Sequence, residues 1–154
     1  MTAEELFVEA TELYEQKQYA EAEGRLTNAM QTPEGSHSKF YLLRGRIRFA
    51  VNNLKDALAD FVEALKRVEP ENFNERAEIS DNLGLVQSAL DLYSSAIENH
   101  NVAINFYTSD HDRARALIYR ALAVHGDSPE SSISVRSDFY KAIELLIEIK
   151  DTEA

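Results

Sequence analysis

Four histidines, His37, His100, His111 and His125, are the natural starting point in a search for chemistry. A zinc-type site wants two of them on one helical face, four residues apart, and no pair has that spacing. His111 lies between Asp110 and Asp112, a trio that reads as a solvated helix start rather than a metal site. His100 falls on an interior register, where a hydrogen-bonded core histidine is expected instead of a catalytic one. Cysteine is absent, so disulfides, thiolate nucleophiles and thiolate metal sites are excluded. The five glycines are too far apart to cradle a phosphate, and there is no Gly-x-Ser-x-Gly elbow. Carboxylates are abundant, yet no pair is singled out. The residues therefore predict no catalysis, no metal and no cofactor.

One charged segment does stand out. From Gly35 to Lys55 there is no acid, while Lys39, Arg44, Arg46 and Arg48 all fall there. Two readings stay open. The cations pair with acidic neighbours such as Glu5, Glu12 or Glu78, or Lys39 and Arg46 receive a partner's carboxylate through bidentate hydrogen bonds.

The rest of the chain is acidic, with a net charge of −11 over 154 residues. Such a field repels phosphate backbones and anionic lipid, so nucleic acid and membrane are not expected partners. No apolar run reaches the length of a membrane span, and the acidic N-terminus lacks the pattern of a secretory signal. A cytoplasmic location is the simplest expectation.

Any site must be positioned by helices. Only three prolines interrupt residues of helical propensity and 3.6-type spacing, and strand alternation is absent. Eight helices are predicted. Thr2 caps the first, which runs to about 16; the next five cover about 18–31, 38–51, 54–68, 73–89 and 92–107. The seventh follows a Ser109-x-x-Asp112 cap and stops at Gly126. Ser128-Pro129 starts the eighth, which runs to about 150.

These helices repeat. Ala10, Gly45 and Gly84 lie 35 and 39 residues apart, and so do Tyr19, Leu54 and Tyr93. The same offsets relate Ala22, Ala57 and Ala96, and then Ala29, Ala64 and Ala103. Small residues recur because two helices approach closely only where side chains are short. Leu26 and Phe61 supply the bulk one turn beyond Ala22 and Ala57. A fixed period of helix pairs predicts an all-α chain built as an α-solenoid.

The pattern resembles the tetratricopeptide repeat family. The first repeat matches at Leu6, Ala10, Tyr19, Ala22, Leu26, Ala29 and Pro33, and the second at Tyr41, Gly45, Leu54, Ala57, Phe61, Ala64 and Pro70. The third matches at Leu83, Gly84, Tyr93, Ala96 and Ala103, with His100 where the family has phenylalanine and Ser80 where it has a large residue. Phe139, Ala142 and Leu146 echo the second-helix pattern again, with Ala121 in the small slot before them. The resemblance implies a single domain over 1–154, with repeats at about 3–36, 38–71 and 73–107 and an irregular capping pair at 110–150. The last helix is expected to bury Phe139, Ala142, Ile143, Leu146 and Ile149.

In such a stack the first helices of each pair line a concave face. Helical spacing from the small slots places Phe7, Val8, Thr11 and Tyr14 there. The third helix adds Lys39, Leu42, Leu43, Arg46 and Phe49, and the fifth adds Asp81, Asn82, Leu85 and Ser88. The family's chaperone-binding members hold a ligand carboxylate with lysine, asparagine and arginine at positions occupied here by Phe7, Thr11, Leu43, Asp81 and Leu85, so that ligand class is not implied. The expected function is a non-catalytic interaction module, adaptor or chaperone-like, holding a peptide or helix in this groove unless the last helix covers it. The alternative is a self-associating scaffold subunit, a homodimer.

Overall fold

A computed structural model describes residues 1–153. Among them the chain is all-helical, without strands. The α-helices are α1 (Ala3–Glu15), α2 (Tyr19–Ala29), α3 (Ser38–Ala50), α4 (Leu54–Arg67), α5 (Phe73–Ala89), α6 (Tyr93–Phe106), α7 (Asp110–Asp127) and α8 (Ser132–Glu153). A 3-10 turn, Glu34–Ser36, joins α2 to α3. Helix pairs form as the small-residue period predicts, α1 with α2, α3 with α4 and α5 with α6, and α7 pairs with α8 outside that period. The chain divides into two compact units, Met1–Glu69 and a second beginning at Pro70.

In the first unit, Thr2 opens α1 with a reciprocal capping box. Its hydroxyl accepts from the Glu5 amide at 3.1 Å, and Glu5 accepts from the Thr2 amide at 2.7 Å. Ala10, Ala22, Leu26 and Ala29 interlock with Phe40, Leu43 and Ile47 in one core. Gly45 lies under the Phe61 ring, where an added Cβ would sit 2.6 Å from a ring carbon. Gly35 is needed for the turn into α3, because a Cβ there would meet the Ala29 carbonyl oxygen at 2.1 Å.

The second unit repeats the device. Gly84 lies under the His100 ring and Gly126 under the Tyr93 ring, with added Cβ atoms falling 2.6 and 2.5 Å from ring atoms. Helix α5 has 17 residues where α3 has 13, an added N-terminal turn that accounts for the longer second spacing. Phe73 in that turn stacks on Phe106, rings 5.4 Å apart and 8° from parallel.

Three turns share one geometry that the sequence reading did not single out. Lys17, Asn52 and Asp91 take positive φ of 62°, 62° and 59°. Their amides donate to Tyr14, Phe49 and Ser88, and the next amides donate back to Leu13, Arg48 and Gln87 at 2.8 Å each. Each is a Schellman closure, which lets the following helix begin at once. Asn and Asp tolerate the left-handed conformation; lysine gives no such cue.

Three expectations are corrected. Gly126 does not stop α7; it is helical, and its role is the close contact with Tyr93. Ser128-Pro129 does not start α8: the Ser128 amide still donates to Val124, and its carbonyl accepts from Ser131, so this is a turn. The α8 stripe is also rotated. Ala142 is buried and Phe139 and Ile149 half-buried, but Ile143 and Leu146 are exposed, and Asp138 and Leu145 face inward instead.

Ala57 is fully buried in the α3–α4 contact. Ala57→Leu is expected to overpack it and lower stability by about 1–3 kcal/mol, measured by urea unfolding; an unchanged midpoint would contradict the close contact.

Candidate functional site

Helices α1 and α3 meet through Phe7 and Lys39. The Lys39 ammonium lies 4.7 Å from the Phe7 ring centre, and Phe7 meets Phe40 edge-on at 5.1 Å. Lys39 also donates to Glu4 across the pair at 2.5 Å. With the helices aligned there, turn-by-turn spacing carries Phe7, Thr11 and Tyr14 along α1 and Lys39, Arg46 and Phe49 along α3, all six half-buried. Thr11 donates to the Phe7 carbonyl, and Tyr14 tilts against Tyr19. Leu42 and Leu43 differ from the expectation. They are only 6% and 5% exposed, and Leu43 belongs to the core, so this stripe supplies the floor and not the contact surface.

Three cations of α3 pair inside the first unit: Lys39 with Glu4, Arg44 with Asp60, and Arg48 with Asp60 and Glu23, in place of the acids expected from the sequence. Asp60 of α4 is buried and accepts three hydrogen bonds. Arg44 gives two, Nε at 3.0 Å and Nη2 at 2.7 Å, and Arg48 gives one from Nη1 at 2.9 Å. Arg48 also donates from Nε to Glu23 at 2.8 Å, tying α3 to α2. The hydrogen bonds that Arg44 donates to Asp60 raise its pKa further, against its partial burial.

In the second unit, Asn82 donates to the Glu78 carbonyl at 2.8 Å, and Leu85 is half-buried. Asp81 corrects the expected concave position: it points inward and is buried. The His100 Nδ1–H donates to its Oδ1 at 2.9 Å, the Tyr107 hydroxyl donates to its Oδ2 at 3.3 Å, and Arg115 lies 3.6 Å from Oδ2. Sequence spacing offered no cue, because Asp81, His100, Tyr107 and Arg115 come from three helices and a helix end. His100 Nε2 is buried without a partner among the described residues. Burial pushes the Tyr107 phenol well above the usual tyrosine range; the Asp81 charge adds to this and Arg115 opposes it.

Two shallow hollows lie elsewhere. One of about 600 Å³ runs along Ala20, Gly24 and Asn28 of α2, and one of about 470 Å³ along Glu5, Val8 and Glu12 of α1. Among the described residues no group of three or more histidines and carboxylates could hold a metal ion, and no helix is long and apolar enough to cross a membrane.

No family model matches the chain, and no curated protein sequence matches it significantly. Solved structures do. A crystal structure of MamA superposes with a TM-score of 0.79 at 19% identity, covering 99% of this chain and 81% of that one. MamA 41-end from Desulfovibrio magneticus RS-1 gives 0.75 at 20% identity, covering 93% and 75%. At this identity the likeness establishes the helical fold. The fold is compatible with the tetratricopeptide pattern.

Two consequences can be measured. Asp60→Ala leaves Arg44 and Arg48 facing each other, each about a fifth exposed. It is expected to cost about 3 kcal/mol or more in denaturant unfolding. The raised Tyr107 pKa predicts stability that is fully present below pH about 10, where the unfolded phenol ionises, and is lost as pH rises through the folded value. Tyr107→Phe should flatten this alkaline decline when unfolding is followed on both sides of that pH.

Proposed function

We propose that the chain is a protein-interaction module that acts by binding and not by catalysis, and that the α1–α3 face of its first unit holds an apolar peptide carrying an acidic group. The observation that carries this reading is the Lys39–Phe7 contact, which sets a half-buried aromatic row beside a cationic one. Half-buried aromatics already held by neighbours lose little side-chain freedom when a ligand covers them, which favours affinity. Lys39, held by Glu4, and Arg46, which also has a partner within the protein, place positive charge on this face, and a peptide's acidic group would share or exchange it. Non-catalytic action is supported by the second unit, where the close His100–Asp81 pair is shut away from solvent.

The adaptor reading is tested with a displayed library of random peptides. Selection is expected to enrich sequences that alternate apolar and acidic residues. Phe49→Ala should weaken the winners about tenfold or more, roughly 1.4 kcal/mol. Arg46→Glu should weaken them further, and added salt should reduce binding. Peptides that bind both variants as well as wild type, with circular dichroism unchanged, would move the site off this face. The second reading, self-association, is favoured by a different surface on α8.

A further inference from the structure

Helix α8 is apolar on two sides. One side, with Ala142 and Leu145, packs against α7. The other presents Ile133 at 83% exposure, Tyr140 at 62%, Ile143 at 51% and Ile147 at 54%. Ile133, Tyr140 and Ile147 are seven residues apart and Ile143 falls between, the spacing of a seam that packs on another helix. A helix apolar on both sides is normally covered on both.

The charges identify the cover. In the first half of α8 the exposed charges are Arg136 and Lys141, both basic. In the second half they are Glu144, Glu148, Asp151 and Glu153 with a single lysine, Lys150. Asp138 takes no part, being held by Arg120 at 2.5 and 2.8 Å on the α7 side. The helix dipole does not account for this order: the first turn carries no acid, and the last sets Lys150 against Asp151 and Glu153. The order does suit an antiparallel copy of the helix, in which each basic half meets the other's acidic half.

We infer that α8 is a two-fold docking surface whose occupant is α8 of a second copy of this chain. Ile143 lies next to the axis, Tyr140 packs against Ile147 of the second copy, and Arg136 faces Asp151 of the second copy. Each contact occurs twice, as a closed two-fold interface requires. Shared apolar burial drives association, and the alternating charges select the antiparallel direction.

The test uses the whole chain, which lacks cysteine and therefore accepts single probes cleanly. Sedimentation from micromolar to submillimolar concentration should show a monomer–dimer equilibrium. Ile143→Glu should abolish the dimer with circular dichroism unchanged. Arg136→Asp should weaken it at least tenfold, and adding Asp151→Arg should restore it. Under mild oxidation Ile143→Cys should form a disulfide-linked dimer, whereas Ile133→Cys should not, because those residues would lie about 30 Å apart at 1.5 Å per residue. A chain that stays monomeric throughout would overturn the inference and leave α8 to a different partner. A dimer indifferent to Ile143→Glu would place the interface elsewhere, and equal cross-linking through Ile133→Cys would show parallel packing. None of these variants touches the α1–α3 face, so peptide binding there survives or fails independently.

Discussion

A ring packed hard against a glycine is the contact on which the second and third helix pairs are built. Phe61 over Gly45 and His100 over Gly84 leave no space for even a methyl group. The glycine weakens its own helix by about 1 kcal/mol relative to alanine, and the close approach it permits lets a large ring be buried whole. Ala10 and Leu26 meet the same need with smaller partners, both fully buried. The choice of ring then dictates chemistry nearby. Phenylalanine asks nothing more. Histidine brings two polar nitrogens into a dry contact, and the structure answers with Asp81, whose charge draws in Tyr107 and Arg115. The polar cluster of the second unit follows from one substitution in a packing slot.

The first unit places its charge differently. Asp60 lies one residue before Phe61, so the ring that fills the glycine slot also carries a carboxylate to the edge of α3. Arg44 and Arg48, a turn apart, close on it from one side of that helix. A basic helix in an acidic chain is thereby made part of the scaffold. Lys39 is likewise tied to α1 through Glu4, and Arg46 also has a partner within the protein.

Much of the fold was legible because close packing constrains residue size at fixed intervals. The offsets of 35 and 39 located the helix pairs and their contacts without any knowledge of loops. Orientation within a helix was less legible. Leu42 and Leu43 fit a surface stripe and a core stripe equally well; both are buried, Leu43 in the core it shares with α1 and α2. Asp81 looked like a surface acid because only a partner nineteen residues away, His100, gives it a reason to be inside. On α8 two apolar stripes compete, and the sequence does not say which one α7 covers. Ser128-Pro129 failed as a start signal because the Ser128 amide was already engaged by α7.

The three left-handed turns at Lys17, Asn52 and Asp91 bear on kinetics. Each joins two helices across a span so short that closing it sacrifices little chain entropy. The amide bonds that finish one helix also aim the next, so a pair needs no distant segment to find its angle. Chains dominated by such local contacts fold in microseconds to milliseconds. Each of these helix pairs can therefore nucleate within its own stretch of chain, and its formation does not wait on the order in which the others assemble.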